Sequence, residues 1–540
     1  MNMKKKVQIL DCTLRDGGYY NNWNFTLELI SDYINSAYSS GVNCVELGFR
    51  SLNLDSSKGP CAYTTDNFLD ILRIPKKLQV SVMINASEFS QYSFILQKKK
   101  IKILFKKKKY SKVSIIRIAA HINEINKITK LINYLKILGY KIAINVMQIS
   151  ECSEKKIDEI TRVICATKTD IFYVADSLGS LNVQNVKNIF DVIKKNWKKE
   201  LGFHAHDNMS RASSNTLQAF ESGCSWIDGT VLGMGRGAGN AKTEFLVTEY
   251  SSFLSRNSKI IPLLNLIDKY FQPLMNKYQW GSNFFYFLSG IEGIHPTYIQ
   301  TMLSNSRFKY QDILSTVNEL KKIRKEKIFN KNILESEGKL FPNKELKGTW
   351  IPKKIFNNKN ILIIGNGPQI ENYEKIIKKY IYDTKPIVLG LNTQKTIDEK
   401  LINFRVISHE LRLFSDRSSF KKIKQPVIVP YSRLSLKIKK CFKKNKVLNF
   451  GMIVENRKFK FKKNYAVTPN SLVFSYALAV AMSGNCKKIF LAGFDGYASD
   501  DQRNIEMNEV ISLFKKYSKK NILSITPSTY KVDRSSILLA

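Results

Sequence analysis

Two histidines separated by one residue are the most specific chemical feature of a chain that contains only five histidines. His204 and His206 stand at the end of an apolar run that predicts a β-strand. Side chains at positions i and i+2 of a strand point to the same face, about 6 to 7 Å apart at Cα. Two imidazoles in this arrangement can bind one metal ion, although two unrelated polar residues at a strand end remain an alternative for this feature alone.

A carboxylate and a guanidinium follow an apolar run near the N-terminus. Asp16 offers a hard oxygen ligand, and Arg15 beside it offers a fixed positive charge. We expect Gly17 and Gly18 to let the backbone turn sharply and approach a ligand closely. Taken alone, this motif is also typical of an ordinary turn.

A glycine-rich segment runs from Gly233 to Asn240 and follows a further predicted strand. Its glycines permit a loop packed tightly against a site, and Asn240 ends it with an amide oxygen. On its own, such a loop often marks only a turn. Combined with one carboxylate and two imidazoles, the amide completes a mixed oxygen and nitrogen site for a divalent ion, without choosing between Mn2+, Mg2+, Co2+ and Zn2+.

The elements that would position these motifs repeat along residues 1–245. Short β-branched runs alternate with helical segments, and the spacing leaves room for a crossover helix each time. The candidate strands are Val7–Cys12, Asn43–Gly48, Gln79–Ile84, Val113–Ile118, Lys141–Met147, Ile171–Ala175, Leu201–His204 and Trp226–Thr230. This pattern predicts a closed (β/α)8 TIM barrel, with an open doubly wound sheet as the alternative. In a barrel the first, seventh and eighth strands are neighbours, so the three motifs would meet at its C-terminal mouth.

The rest of the chain predicts two further parts. Residues 246–345 look mainly helical and predict an extension of the barrel. Residues 346–540 return to alternating strands and helices, which predicts a C-terminal Rossmann-like α/β domain. In that domain Gly365, Asn366 and Gly367 follow a short apolar run and are candidate cofactor-binding residues, because a helix N-terminus after a glycine turn can bind phosphate.

The composition of the chain limits which classes of protein and partner it can represent. A net charge of +41, from 86 Lys and Arg against 45 Asp and Glu, would suit a nucleic-acid partner. The lysine runs lack the glycines and regularly interleaved aromatic residues of a nucleic-acid module, so we interpret them as a solvated surface and expect no specific nucleic acid. The eight cysteines form no Cys-x-x-Cys pair and are interpreted as reduced thiols of a cytoplasmic protein. The longest apolar stretch, Leu472 to Met482, is too short to span a membrane.

In combination, the motifs of the predicted barrel resemble the DRE-TIM metallolyase superfamily, especially its 4-hydroxy-2-oxovalerate aldolase-like branch. That superfamily also contains 3-hydroxy-3-methylglutaryl-CoA lyase (HMG-CoA lyase) and the isopropylmalate synthases. The matching positions are Asp16, Arg15 and Glu46 for the Asp, Arg and Glu that name the superfamily, His204 and His206 for its metal-binding His-x-His, and Gly233 to Asn240 for its glycine loop.

The resemblance implies metal-assisted enolate chemistry. A divalent ion bound by Asp16, His204 and His206 would hold a 2-oxo acid while a C–C bond next to its carbonyl is made or broken. Arg15 would stabilise the enolate oxygen, and Glu46 would orient Arg15.

The general base departs from the pattern of the aldolase branch, which usually has a histidine shortly after the Arg-Asp-Gly. Tyr19 and Tyr20 occupy that stretch here, and a tyrosine with an ordinary pKa of about 10 is a poor base at neutral pH. The candidates are Tyr19, Tyr20, His121 and His295, and the two histidines can equally be structural.

Two short patches of the second domain, around Gly365 and from Asn470 to Tyr497, are similar to the core of bacterial sialyltransferases that use CMP-sugars. This similarity implies a nucleotide or nucleotide-sugar as the ligand. His409 is the only histidine available there as a partner, so a binding domain without catalysis stays open.

The expected activity is that of a divalent-metal-dependent aldolase or lyase, with a small 2-oxo acid and an aldehyde as substrates and a role in surface-polysaccharide biosynthesis. One alternative is a Claisen-type synthase that condenses an acyl-CoA with a 2-oxo acid on the same barrel. The other is a non-enzymatic binding or scaffold protein, favoured only by the net charge. Related barrels commonly self-associate, so a homo-oligomer is also expected.

Overall fold

Two compact units make up the chain, Met1–Phe308 and Lys309–Ala540. The computed structural model describes residues 6–55, 57–254, 258–304, 308–325, 347–393, 396–409, 412–413, 416–420, 423–434, 436–439, 442, 446–497 and 501–534. Within these ranges, no helix is both long enough and apolar enough to cross a membrane.

The first unit is built on a closed barrel of parallel strands. The strands are β1 Gln8–Asp11, β2 Cys44–Phe49, β3 Gln79–Asn85, β4 Ile115–Ala120, β5 Lys141–Met147, β6 Ile171–Asp176, β7 Glu200–Ala205 and β8 Trp226–Gly229. Strand β8 pairs with β1 in parallel, which closes the barrel and rules out the open sheet. The predicted (β/α)8 barrel is therefore confirmed.

Amphipathic helices surround this barrel. They are α1 Thr13–Asn21, α2 Leu27–Ser39, α3 Asp66–Ile71, α4 Phe94–Leu104, α5 Ile122–Ile137, α6 Glu154–Cys165, α7 Val183–Asn196 and α8 Ala212–Glu221. In α6, Ile157, Ile160 and Ile164 share one buried face, and the side chain of Ser153 caps the helix by accepting from the backbone N–H of Lys156. Each buried isoleucine contributes about 1.5 to 3 kcal/mol to the packing of such a helix.

The interior of the barrel changes from apolar to charged along the strands. Cys44, Ile115, Ile171 and Trp226 begin the even-numbered strands and are buried in one apolar cluster. Two residues further on, and so on the same face of each strand, stand Glu46, Arg117, Tyr173 and Asp228, all fully buried. Layers of four side chains from alternate strands are characteristic of this fold, and here the second layer carries charge toward the C-terminal mouth.

Short helices continue the first unit beyond β8. They are α9 Thr243–Glu249, α10 Ile261–Leu266, α11 Gln272–Tyr278, α12 Phe284–Ile291 and α13 Pro296–Leu303, with a π-helical turn at Ile267–Phe271. The described residues between 246 and 308 are mainly helical, as expected for the helical extension. Its predicted bound at residue 345 stays a prediction, and residues 255–257, 305–307 and 326–345 lie outside the described part of the chain.

The second unit is an α/β fold with two sheets. Its strands are β9 Ile361–Ile364, β10 Ile387–Leu391, β11 Phe404–Val406, β12 Val427–Val429, β13 Val447–Asn449, β14 Gly451–Val454, β15 Lys460–Phe461, β16 Tyr465–Thr468, β17 Ile489–Ala492, β18 Ile522–Ser524 and β19 Asp533–Arg534. The larger sheet has the order β13-β12-β11-β10-β9-β17-β18-β19 and is parallel throughout, while β14, β16 and β15 form a smaller sheet. The predicted α/β class of this region is confirmed.

The helices of the second unit are α14 Tyr310–Lys325, α15 Lys353–Phe356, α16 Glu374–Thr384, α17 Arg417–Phe420, α18 Leu436–Lys439, α19 Val473–Ser483 and α20 Gln502–Ser518. Helix α19 is apolar on nearly all sides and almost wholly buried, as expected for a helix inside an α/β core. The chain order of the strands reverses between β9 and β17, which makes the C-terminal ends of these two strands the switch point of the sheet.

Candidate active site

The predicted metal-binding side chains meet at the C-terminal mouth of the barrel. Asp16 Oδ2 lies 3.5 Å from His204 Nε2 and accepts a hydrogen bond from Asn240 Nδ2 at 2.9 Å. The ring centroids of His204 and His206 are 4.9 Å apart. Three elements, α1, β7 and the loop after β8, therefore bring the four side chains together.

The glycines beside Asp16 differ from the prediction of a sharp turn. Arg15, Asp16, Gly17 and Gly18 all lie inside α1. A Cβ atom on Gly18 would stand 2.0 Å from the Trp23 ring, and one on Gly17 would stand 2.5 Å from a side-chain atom of the glycine loop. The turn interpretation was wrong because these glycines serve close packing of a helix instead of a reversal of the chain.

Hydrogen bonds on the far side of each imidazole fix which nitrogen faces the site. His204 Nδ1 lies 2.9 Å from Asp228 Oδ2, and His206 Nδ1 lies 2.8 Å from the backbone oxygen of Asp176. Carboxylate and carbonyl oxygens accept, so each Nδ1 donates a proton, and the neutral form of each ring has its lone pair on Nε2. Histidines that bind metal ions are commonly oriented in this way.

Two buried acceptors at the same place have no hydrogen-bond partner in the described part of the chain: His204 Nε2 and Asn240 Oδ1. Leaving a buried polar atom unsatisfied costs about 1 to 3 kcal/mol. A cation between Asp16, His204 and Asn240 would satisfy both atoms. The donor set therefore fits a divalent ion.

The protonation states suit metal binding. Burial opposes the charge of Asp16, but Arg15, followed by His204, His206 and Arg236, lowers the pKa of this carboxyl below its ordinary value. Burial, reinforced by His204, lowers the pKa of His206 to about 3. At neutral pH the carboxylate is ionised and the imidazole of His206 is neutral, as ligands must be.

A continuous ring of buried charges holds the site. Arg15 pairs with Asp16 and donates from Nε to Glu46 Oε1 at 2.8 Å. Arg117 donates to the same Glu46 oxygen at 3.3 Å and from Nη2 to Asp228 Oδ2 at 2.5 Å. Asp228 accepts a hydrogen bond from His204 Nδ1, and His204 Nε2 faces Asp16, so the chain of contacts returns to its first member. With two guanidiniums against three carboxylates, these residues leave a negative charge that a cation can neutralise.

Arg117 and Asp228 were missed by the sequence analysis. Each is a charged residue inside a short apolar run, Ile-Ile-Arg-Ile in β4 and Trp-Ile-Asp-Gly in β8. Charged side chains at the inward positions of a barrel strand must find partners. That pattern was the available signal, and it could have indicated the support of the site.

A second group of ligand-type atoms lies around His204 Nδ1. Atoms of Cys12, His204 and Asp228 all lie within 4.8 Å of one another. Burial first, and then Asp16, raises the pKa of the Cys12 thiol well above its ordinary value, so the thiol keeps its proton. Asp228 is already paired with Arg117. The Asp16 side of His204 is therefore the better cation site.

The two tyrosines of the predicted base stretch lie beside this centre. The Tyr19 ring lies 4.8 Å from the Trp23 ring, and the Arg236 guanidinium lies 5.6 Å from the Tyr19 centroid. Tyr20 stacks on Tyr278 at 5.3 Å. Burial raises the pKa of Tyr20, so its hydroxyl stays protonated and acts as a donor.

His295 caps α13, and its Nδ1 accepts the backbone N–H of Thr297 at 3.3 Å. Burial, followed by Arg236, His206 and His121, lowers the pKa of His295 well below its ordinary value. The ring is therefore neutral and carries its proton on Nε2. His121 is the N-cap residue of α5, and its backbone N–H donates to the side chain of Glu124.

The predicted cofactor-binding residues of the second unit follow β9 at the switch point. The backbone N–H groups of Gly365 and Gly367 donate to the carbonyls of Ala492 and Gly493, each at 2.9 Å. Gln369 donates its backbone N–H to Asp495 Oδ2 at 2.7 Å. The glycine N–H groups expected to bind phosphate are thus bonded to the end of β17 and the residue after it. The side chain of Asn366 is exposed at this edge.

Comparison with known proteins agrees with this architecture. Residues 6–253 match the HMGL-like family model. A 4-hydroxy-2-oxovalerate aldolase from Carboxydothermus hydrogenoformans is 26% identical over 332 residues, which span 59% of this chain and 94% of the relative. The enzyme of the same name from Brevibacillus brevis is 28% identical over 251 residues, 45% of this chain and 70% of the relative.

A solved structure from Bacteroides vulgatus, the N-terminal domain of a protein described as an aldolase, is 32% identical and spans 56% of this chain and 97% of that domain, with a TM-score of 0.49. The family match covers the barrel and the motifs at its mouth. Through this barrel, the chain belongs to the DRE-TIM metallolyase superfamily.

Proposed function

We propose that the barrel is a divalent-metal-dependent aldolase or lyase that makes or breaks a C–C bond next to the carbonyl of a 2-oxo acid. The matched family and the curated relatives support an aldolase or lyase in general terms. The observation that carries the finer proposal is the pair of unpartnered buried acceptors, His204 Nε2 and Asn240 Oδ1, beside the ionised Asp16.

Asp16, His204, His206 and Asn240 are the residues proposed to hold the ion. Bound there, a divalent ion would supply Lewis-acid stabilisation of the negative charge that develops beside the 2-oxo acid carbonyl. The ionised carboxylate of Asp16 gives the ligand set a negative charge, which favours a dication at this place.

Arg15 is proposed to stabilise the enolate oxygen. Glu46 and Asp16 fix its guanidinium on two sides, and Arg117 fixes Glu46 in turn. A donor held in advance at the place where charge develops contributes about 10²- to 10³-fold to the rate. Glu46 therefore acts as a positioning residue for Arg15.

Proton transfer is assigned to the groups around Arg236. His295 carries its proton on Nε2, and Tyr20 keeps its hydroxyl proton, so both are proposed to donate to substrate oxygens. The proton acceptor stays open among the candidates, of which Tyr19 stands directly after the Arg-Asp-Gly-Gly. This division of roles takes account of the absence of a histidine at that place in the sequence.

The test is a carbon–carbon bond assay with the purified chain. We expect release or uptake of pyruvate at a rate that depends on added Mn2+ and does not change when CoA thioesters are added. Strict dependence on an acyl-CoA would contradict the aldolase proposal and support the Claisen-type synthase instead. The role in surface-polysaccharide biosynthesis stays a prediction.

For residues 346–540 we propose a nucleotide or nucleotide-sugar ligand at the switch point between β9 and β17. Ligands of open α/β sheets bind outside the carboxyl ends of the strands where the order reverses. Asn366 and Asp495 stand in the two loops that meet there. Calorimetric titration with CMP and UDP tests this, with Asn366→Ala expected to weaken binding. Equal binding by the variant and the wild type would remove Asn366 from the site.

A further inference from the structure

Three arginines lie at the mouth of the barrel, and they differ in how their charge is balanced. Arg15 pairs with two carboxylates, and so does Arg117. Arg236 has neither a carboxylate in ion-pair range nor a hydrogen-bond partner for its side chain among the residues that the structure describes, and its Nε is buried. A buried guanidinium N–H without an acceptor is costly, so its partner is expected to come from outside the chain.

The position of Arg236 is fixed by the glycine loop that also carries Asn240. Its backbone carbonyl accepts the N–H of Gly239 at 3.2 Å, and Gly237 and Gly239 have φ values of 65° and 78° that suit glycine. The guanidinium lies over the Tyr19 ring at 5.6 Å from its centroid. Its charge also acts on Asp16 and on His295. Arg236 therefore stands among the groups proposed to hold the ion and to move the protons.

The 2-oxo acid already has partners in the proposed function, because the ion and Arg15 would hold its carboxylate and carbonyl oxygens. That proposal assigns no binding partner to Arg236. A guanidinium is suited to a carboxylate or a phosphate, which it can bind through two parallel hydrogen bonds. We infer that Arg236 binds an anionic group, carboxylate or phosphate, on the aldehyde substrate, an inference that rests on the function proposed above.

The reaction then needs no further reactant. In the direction of synthesis, C3 of the 2-oxo acid loses a proton and forms one C–C bond with the aldehyde carbon, while the aldehyde oxygen gains a proton. No group is oxidised or reduced. The anionic end of the aldehyde takes no part in the bond changes and serves only to orient the carbonyl.

The experiment compares three aldehydes in the presence of pyruvate and Mn2+: succinic semialdehyde, glyceraldehyde 3-phosphate and uncharged glyceraldehyde. We expect the wild-type chain to prefer an anionic aldehyde in kcat/KM, and the identity of the preferred one distinguishes a carboxylate from a phosphate. Arg236→Gln is expected to lower kcat/KM for that aldehyde about 10- to 100-fold relative to uncharged glyceraldehyde, the loss expected for a hydrogen bond to a charged group. Arg236→Lys should keep part of the preference, because lysine keeps the positive charge but lacks the two parallel N–H donors of a guanidinium.

The matched control is Arg162→Gln on the outer helix α6, where an exposed arginine pairs with Asp158. This control is expected to keep the wild-type ratio. An unchanged ratio in Arg236→Gln, or a change confined to the KM for pyruvate, overturns the inference.

Two further measurements distinguish a failure of this inference from a failure of the proposed function. Mn2+-dependent exchange of the C3 protons of pyruvate in D2O needs no aldehyde, so its absence in the wild type would count against the proposed function itself. Calorimetric titration of the Mn2+- and oxalate-loaded wild type with glycerol 3-phosphate, with succinate and with glycerol tests binding without turnover. Binding of one anion that Arg236→Gln weakens supports the inference, and failure of the wild type to bind either anion contradicts it.

Discussion

Asp228 shows how a residue that touches no substrate can decide the chemistry of the site. It accepts from His204 Nδ1 and from Arg117, and so it selects the tautomer that turns the Nε2 lone pair toward Asp16. A carboxylate behind a histidine also raises the basicity of that ligand. Arg117, His204 and Asp228 therefore act as one unit beneath the proposed ion.

Replacing Asp228 by asparagine should weaken metal binding. An amide oxygen is a poorer acceptor than a carboxylate, and Arg117 would lose half of its balancing charge. We expect an Mn2+ affinity about 10- to 100-fold lower than that of the wild type, measured by calorimetric titration. Asp158→Asn on α6 is the control that should keep the wild-type affinity. Wild-type affinity in a folded Asp228→Asn variant would contradict the role given to Asp228.

His409 in the second unit gives a prediction for pH. Burial, followed by Arg433, lowers the pKa of His409 to about 4 from its ordinary 6.5. Between these values the unfolded chain binds a proton that the folded chain does not, so the free energy of unfolding falls as the pH falls through 6.5. At pH 5 this loss amounts to about 2 kcal/mol from one histidine.

The His409→Gln variant removes this titration. Urea unfolding at pH 7 and pH 5 should show a smaller loss of stability in the variant than in the wild type, by about 2 kcal/mol. Equal losses in the two proteins would show that His409 titrates normally in the folded state.

At the scale of elements, α1 is where the site depends on close packing. Glycines lower helix stability by about 1 kcal/mol relative to alanine, yet Gly17 and Gly18 both lie inside this helix. The space around them explains the choice, since Trp23 and Met234 occupy the positions where Cβ atoms would stand. The tight packing of α1 against the glycine loop brings Asp16 to Asn240.

The two glycines should respond differently to alanine. At Gly18 the new Cβ meets the rigid ring of Trp23, while at Gly17 it meets the flexible end of Met234. We expect Gly18→Ala to lower the free energy of unfolding by about 1 to 3 kcal/mol and Gly17→Ala to lower it less, as measured by denaturant unfolding. A larger loss in Gly17→Ala than in Gly18→Ala would contradict the packing argument.

Prediction from sequence succeeded where a pattern is local. The β-branched runs predicted the barrel strands within a few residues, as for β5 at Lys141–Met147, and the His-x-His spacing placed both imidazoles on one face. It failed at α1, where contacts with distant residues decide between a helix and a turn. It also missed Arg117 and Asp228, because their pairing across the barrel depends on which strands become neighbours.

At the scale of the whole molecule, the net charge of +41 contrasts with the negative ring of buried residues at the mouth. Such a charge attracts any polyanion at low salt without indicating specific recognition. We expect duplex DNA to bind weakly, without sequence preference, and to be lost between 50 and 200 mM salt in a fluorescence anisotropy titration. Tight and sequence-dependent binding at 200 mM salt would instead favour a nucleic-acid function.

The most direct test is the metal content of the purified full chain. After saturation with Mn2+ and removal of excess ion, the wild type should retain about one ion per chain, and His204→Ala should retain almost none. His409→Gln, which alters a histidine of the other unit, should retain the wild-type amount. Equal occupancy in the wild type and His204→Ala would show that Asp16, His204 and His206 do not form the cation site on which the proposed chemistry depends.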